Sequence, residues 1–382
     1  MDRGVQTPGL TETELALVTG LRHDLHRHPE LSGQEVWTRE YLMDFLRAHT
    51  ALEVVDQGKW FYAAFRSGQG HGIVFRADFD ALPIPDEIDA PYRSQVPGRG
   101  HKCGHDGHSA ALAALALEVD RRGADRDVFF LFQHAEETGA GAAECLELLD
   151  RERAGEIYAF HNMSGYPRGA VCIRTGTMHC ASRGVILTLT GVPAHASTPE
   201  LGRSPARAAA RLVEALPGLS RQAGRRGLVL ATVVGLQVGE GDFGVAAYRG
   251  ELRLTLRAQY EEELDALQGE LEREAARLAA EDGLHWSVAL SDVFPETANH
   301  PACADKVRRA ARTLGMPLVE LESPERCSED FGRYLKKIPG AIFFLGNGEE
   351  YPGVHDTRFN FLDEQLTQAS ALFRAVLDQP PL

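Results

Sequence analysis

The sequence predicts an α/β protein whose layered, strand-rich domain is interrupted by a second domain of different plan. Three observations carry that expectation. Four apolar segments of strand length, at 72–80, 127–133, 156–160 and 341–345, are separated by helical segments. Each delivers Asp, Glu or His at or just beyond its C-terminal end. Between the third and the fourth, the chain runs strand, helix, strand, strand, helix, strand, which is the ferredoxin-like order.

From the N-terminus, residues 12–27 place apolar side chains at helical spacing, with Thr11 or Thr13 as the N-cap. His28, Pro29 and Glu30 break that helix, and a second is expected from about 34 to 48. His23, His26 and His28 lie near a helix end and read as structural. The 72–80 strand ends in Asp78 and Asp80. Residues two apart share one strand face, so both carboxylates point the same way, at the end where open α/β sheets bind ligands. Pro83 and Pro85 then turn the chain away.

Residues 100–108, GHKCGHDGH, pack one thiol, three imidazoles and one carboxylate among three glycines. Glycine lets the backbone fold tightly, so neighbouring side chains can converge on one point. Thiolate, imidazole and carboxylate are the usual ligands of zinc-like metals. The alanine-rich run 109–119 reads as a buried helix, which puts the cluster on a loop entering it. The 127–133 strand is followed by His134, Ala135, Glu136 and Glu137. Adjacent carboxylates point differently, so one can bind a metal while the other faces a bound water, as metal-assisted hydrolysis needs. The segment 138–141 opens another helix, the 156–160 strand ends in His161, and the 341–345 strand leads to His355 and Asp356.

The middle of the chain has strands at 184–190, 227–238, 247–259 and 284–290 and helices at 204–219 and 261–280. Residues 182–293 are therefore expected to be a domain inserted between 1–181 and 294–382. The inserted part holds one chemically suggestive loop, AHASTP at 194–199, and a short basic loop at 221–226 that reads as solvated.

A chain of 382 residues accommodates two domains. Its apolar fraction of 43% and charged fraction of 25% are ordinary for a globular protein. A net charge of −15 argues against nucleic acid as a partner. No apolar run is long enough to span a membrane, and residues 1–20 lack the apolar core of a signal peptide, so a cytoplasmic protein is expected. Its six cysteines are scattered, which suits free thiols in a reducing compartment.

From Leu21 to Phe361 the chain resembles the amidohydrolase branch of the aminoacylase-like, dinuclear-metal peptidase family. The resemblance is carried by LRHDLHRHPELSGQE (21–35), RADFDALP (76–83), CGHDGH (103–108), FQHAEETGAG (132–141), AFHNMSGYPRG (159–169) and AHASTP (194–199), with SEDF at 328–331 and the His355 segment. It implies a zinc-peptidase-like catalytic domain and an inserted lid that is also the dimerisation domain. It implies two divalent ions, zinc, manganese, nickel or cobalt, held by Cys103, His105, Glu137, His161 and His355, with the Cys103 thiolate as the bridge. Glu136 matches the general base, Asp80 the carboxylate that orients a liganding histidine, and His195 a lid histidine reaching the partner subunit's site in a homodimer. The expected reaction is hydrolysis of the amide in small N-acyl amino acids or related conjugates. A dipeptidase or carboxypeptidase on the same site, or a silent small-molecule binder, is the alternative.

Two departures stand out. His134 replaces a common proline, and Gly244 stands where the lid has an asparagine that helps hold the substrate carboxylate. The arginine nine residues beyond that stretch survives as Arg257, the substrate-binding candidate. A rival reading makes Cys103 a nucleophile paired with His105 or His108, but it leaves Glu136, Glu137, His161 and His355 without a task.

Overall fold

The computed structural model describes residues 9–69, 72–221 and 224–382. The chain forms two compact units. One holds the chain up to Met178, Thr297–Ser323 and Asp330–Leu382; the other holds His179–Glu296 with Pro324–Glu329. The short Pro324–Glu329 excursion carries no periodic signal of its own, which is why the elements at 182–293 gave no hint of it.

The larger unit is built on an eight-stranded sheet, in the order Glu53–Asp56, Phe61–Phe65, Val128–Gln133, Gly72–Asp78, Ala154–Met163, Gly340–Gly346, Val171–Ile173, Leu318–Glu320. The four central strands are mutually parallel neighbours. They are the four apolar segments that stood out in the sequence. Parallel central strands are covered on both faces, so their sequences are continuously apolar. Side chains of the Gly72–Asp78 strand accordingly alternate between two cores. Ile73, Phe75 and Ala77 enter one, with the Glu12–Arg27, His105–Arg122 and Glu364–Leu377 helices. Val74 enters the other, with Phe129, Ile157 and Ile342. From Gly72–Asp78 the chain passes to a neighbour on one side and then to Ala154–Met163 on the other. The strand order thus reverses there, and the crevice at such a switch point is where open sheets place ligands.

Thr11 is the N-cap of the first helix. Its Oγ1 accepts from the Glu14 amide at 3.1 Å and the Glu14 carboxylate accepts from the Thr11 amide at 2.7 Å, a closed capping box. The His105–Arg122 helix is buried over most of its length, and its alanines let neighbouring helices and strands approach closely. Gly104 caps it at φ +103°, and a Cβ there would meet Asn162 Oδ1 at 2.1 Å. Only glycine fits both demands.

The smaller unit has a four-stranded antiparallel sheet in the order Val229–Val238, Arg249–Ala258, Ala181–Thr190, His285–Phe294. The Ala206–Ser220 and Glu261–Asp282 helices cover one face of it. Leu252, Leu254 and Leu256 alternate inward and meet Leu264, Leu267 and Leu271. Among the described residues no helix is long and apolar enough to cross a membrane, and all six cysteines are free thiols.

Candidate metal centre and active site

Because the central strands are parallel, their C-terminal ends share one edge of the sheet. Asp78 ends one strand with Asp80 two residues beyond it, so the strand is shorter than the 72–80 expected, and His134–Glu137 follows the second. His161 lies near the end of the third, and the loop after the fourth carries His355. The GHKCGHDGH loop joins them at the head of the alanine-rich helix.

There, Cys103, His105 and His161 bring ligand atoms within 4.8 Å of one another, and so do Cys103, Glu137 and His355. Cys103 is common to both groups. A third group of the same kind joins His105, Glu136 and Glu137. The Cys103 Sγ lies 3.3 Å from His161 Nε2. His105 and His161 are each held through their other nitrogen. His105 Nδ1 faces the Asp80 carbonyl at 3.0 Å and the Asp80 carboxylate at 3.1 Å. His161 Nδ1 faces the Asn162 carbonyl at 2.6 Å. With those nitrogens as donors, each Nε2 is turned to the cluster, that of His161 as a lone pair and that of His105 once a cation displaces its proton.

These residues fit a metal centre. His105 Nε2 and Glu137 Oε1 are buried without hydrogen-bond partners and lie 3.8 Å apart, too far to bond each other. Electrostatics agree. Burial pushes the Cys103 thiol well up, and Glu137, Glu136 and Asp78 add to it. Burial raises Glu137 to about 7, with Asp80 contributing and His105 opposing. Burial disfavours charge on His105, yet Asp78, Asp80 and Glu137 outweigh it and push its pKa up to about 10. His161 is held low by burial and by His108, so its ring is neutral, as a ligand's must be. Thiol and carboxylates crowded together out of water call for added positive charge, which divalent ions supply.

His355 stands half-exposed at φ +68°, its amide bonded to the Lys102 carbonyl at 2.6 Å and its Nε2 3.6 Å from Glu137. Lys102 is itself fully buried between Asp86 and the Phe359 carbonyl, which ties the His355 segment to the Cys103 loop. His108 lies outside the ligand groups that contain Cys103, bonded to Asp78 and Asn162 at 2.7 Å each. His26 bridges Asp106 at 2.7 Å and Asp86 at 3.1 Å, a structural role, and His134 turns to Glu144 at 3.5 Å.

His195 and Arg257 belong to the smaller unit. His195 is exposed; it pairs with Val245 across two short strands, and its Nδ1 contacts Ser197 Oγ at 2.7 Å. Gly244 adjoins that strand pair, its carbonyl accepting from the Ala196 amide at 3.0 Å. Arg257 donates to the Arg326 carbonyl and to Ser328 Oγ. Sequence reasoning passed over the partners of Asp78. Arg76 is buried and bonds Asp78 at 2.6 Å, Gln133 at 2.9 Å and Asp330 at 2.9 Å. The signal was present in RADFDALP and SEDF, but nothing in the sequence pairs residues 254 positions apart.

The model of the peptidase family M20/M25/M40 matches residues 74–379. An N-acetylcysteine deacetylase from Bacillus subtilis (strain 168) is 32% identical over 362 residues, covering 92% of this chain and 94% of that protein. An N-acetyldiaminopimelate deacetylase from Exiguobacterium sibiricum is 28% identical over 347 residues, 89% of this chain and 93% of its own. Among solved structures, an aminohydrolase from methicillin-resistant Staphylococcus aureus superposes with a TM-score of 0.86 at 26% identity, over 96% of this chain and 98% of that one. A dinuclear metal-binding peptidase of the M20 family from Bacillus subtilis gives 0.82 at 27% identity, over 96% and 98%. The chain belongs to peptidase family M20/M25/M40, and it is a hydrolase of amide bonds.

Proposed function

We propose that this protein removes the acyl group from small N-acyl amino acids or related amino-acid conjugates, with Glu136 as general base. The observation that carries the reading is the pair of ligand groups sharing Cys103, with Glu136 beside them but outside both. Cys103, His105, Glu137, His161 and His355 would hold two divalent ions, which supply Lewis acidity toward water and the amide carbonyl. Glu136 takes the proton of the attacking water and returns it to the leaving amine. Asp80 keeps the His105 ring aimed at the centre. His195, supplied by the partner subunit of a homodimer, donates to the oxyanion as it forms. Arg257 receives the carboxylate of the amino acid. Deacetylase names among the relatives support the acyl amino acid as substrate.

A cysteine nucleophile fits less well. Burial raises the Cys103 thiol, the opposite of activation, and His108 has both ring nitrogens engaged.

A mass-spectrometric panel of N-acetyl and N-benzoyl amino acids and of dipeptides, with protein loaded with Zn, Mn, Ni or Co, tests the reading. Deacylation that stops on chelation and returns on reloading is expected. Turnover of dipeptides alone would move the assignment to a dipeptidase, and no turnover with any metal would overturn it. Elemental analysis of Cys103→Ser checks the centre separately, since a neutral hydroxyl in place of the shared thiolate should lower metal content. Two full-occupancy ions in that variant would contradict the bridge.

A further inference from the structure

Ser32 and Glu35 lie on the loop between the Glu12–Arg27 and Val36–His49 helices, and neither belongs to the ligand set. Glu35 nevertheless grips the segment that carries Glu136, and Ser32 reaches it through Asp80. Glu35 is buried, and its Oε1 accepts the Ala135 amide at 2.8 Å. Ser32 donates to Asp80 Oδ2 at 2.7 Å, and the same oxygen accepts the Glu137 amide at 3.0 Å. The residue before Glu136 is thus fastened to this loop directly, and the residue after it through Asp80.

Ala135 is the unusual member. Its φ of +48° lies in the left-handed region, where a Cβ is strained. The Ala135 carbonyl accepts from the Ala140 and Gly141 amides at 3.2 and 3.1 Å, so the residue is held from both sides. Strain of this kind persists only where the surroundings over-determine it, and it gathers at functional sites. The twist sits one residue ahead of the two carboxylates. A second sign that the contact matters is that Glu35 bears the penalty of a buried carboxyl, which burial and the Asp80 charge push up to about 7.

We infer that Glu35 is a positioning residue for the hydrolysis: by receiving the Ala135 amide it holds the left-handed turn that brings Glu136 and Glu137 together to the candidate centre, Glu137 in a ligand group with Cys103 and Glu136 outside both Cys103 groups. The inference rests on the reading of Glu136 as base, but part of its test does not. Without the acceptor, Ala135 is free to relax to negative φ, and a strain of this size favours the relaxed form by roughly tenfold to a hundredfold.

The experiment compares Glu35→Ala, Glu35→Gln and the double variant Glu35→Ala/Ala135→Gly in full-length, metal-loaded protein. It records kcat, KM, metal content and hydrogen exchange of the 131–140 segment. Glu35→Ala should lose kcat by roughly tenfold or more, with KM and metal content held and exchange of the segment faster. Glu35→Gln should keep most of the activity, because its amide oxygen accepts the same N–H. Glycine adopts positive φ without strain, so the double variant should regain kcat over Glu35→Ala. Wild-type kcat in Glu35→Ala, equal damage in Glu35→Gln, or no recovery in the double variant would overturn the inference. If Glu35→Ala does not fold, Glu35→Met fills the volume without an acceptor and takes its place. If the wild type cleaves no amide, the proposed function has failed. Exchange then decides alone: faster exchange in Glu35→Ala supports the turn, and unchanged exchange overturns it.

Discussion

Glu136 and Glu137 are chain neighbours, yet only Glu137 shares a ligand group with Cys103. Ala135, left-handed at φ +48°, lies immediately before them. We expect Glu136→Gln to keep fold and metal content while kcat falls roughly 10²–10⁴-fold, because glutamine cannot shuttle a proton. Stopped assays together with elemental analysis check this; near-wild-type kcat would remove Glu136 from the chemistry. The types of side chain at this site were legible in the sequence, because ligands of one kind of metal recur at strand ends. What was not legible is selection among equals. His105 and His108 sit three residues apart in one motif, and only their partners distinguish them. Asp80 orients the first toward the cluster, while Asp78 and Asn162 occupy both nitrogens of the second. Ser32 and Glu35 lie within a motif of the sequence, but their tasks do not show there, because their bonds to Asp80 and Ala135 cross 48 and 100 residues.

At the scale of elements, the Ala154–Met163 strand shows a division between its ends. His161 near its C-terminal end faces the candidate centre. Glu156 near its start is buried and bonded to Lys306 at 2.6 Å, Tyr158 at 2.7 Å and Arg126 at 2.8 Å. Burial alone would raise the Glu156 carboxyl, but these bonds outweigh it and hold its pKa below the usual range. A depressed carboxylate stabilises the fold fully above its unfolded pKa, and that contribution is lost as pH falls through the folded value. Glu156→Gln leaves two buried cations without their anion and should cost about 3–5 kcal/mol at neutral pH. The Tm gap from wild type should hold above about pH 5 and narrow below about pH 4, with metal content unchanged. A gap that widens in acid would reverse the sign and refute the argument. Long apolar strands such as Val128–Gln133 were readable because both faces are buried. Val171–Ile173 and Leu318–Glu320 are three residues each, too short for any period to show.

At the scale of the molecule, the residues assigned to one reaction are divided between two units. Glu136, Asp80 and the ligand candidates lie in the larger, while His195 and Arg257 lie in the smaller. The proposal that His195 acts across a homodimer makes a prediction that no single-chain account shares. His195→Ala should lower kcat roughly 10²–10³-fold, as loss of one oxyanion donor does. Metal content should stay unchanged, because His195 is not a ligand in this scheme. Glu136→Gln removes the base and leaves His195 in place. When the two inactive variants are mixed and subunits exchange, each heterodimer gains one site that has both groups intact, one from each chain. That site should turn over, so activity should rise from near zero as exchange proceeds, toward about one quarter of the wild-type level at equal mixing if association is random. Exchange is followed independently by native mass spectrometry with one variant isotope-labelled. If heterodimers form and no activity returns, His195 acts within its own chain or takes no part in the chemistry. If no dimer forms at all, the trans assignment falls with it, and Glu136 and the metal centre keep their own separate tests.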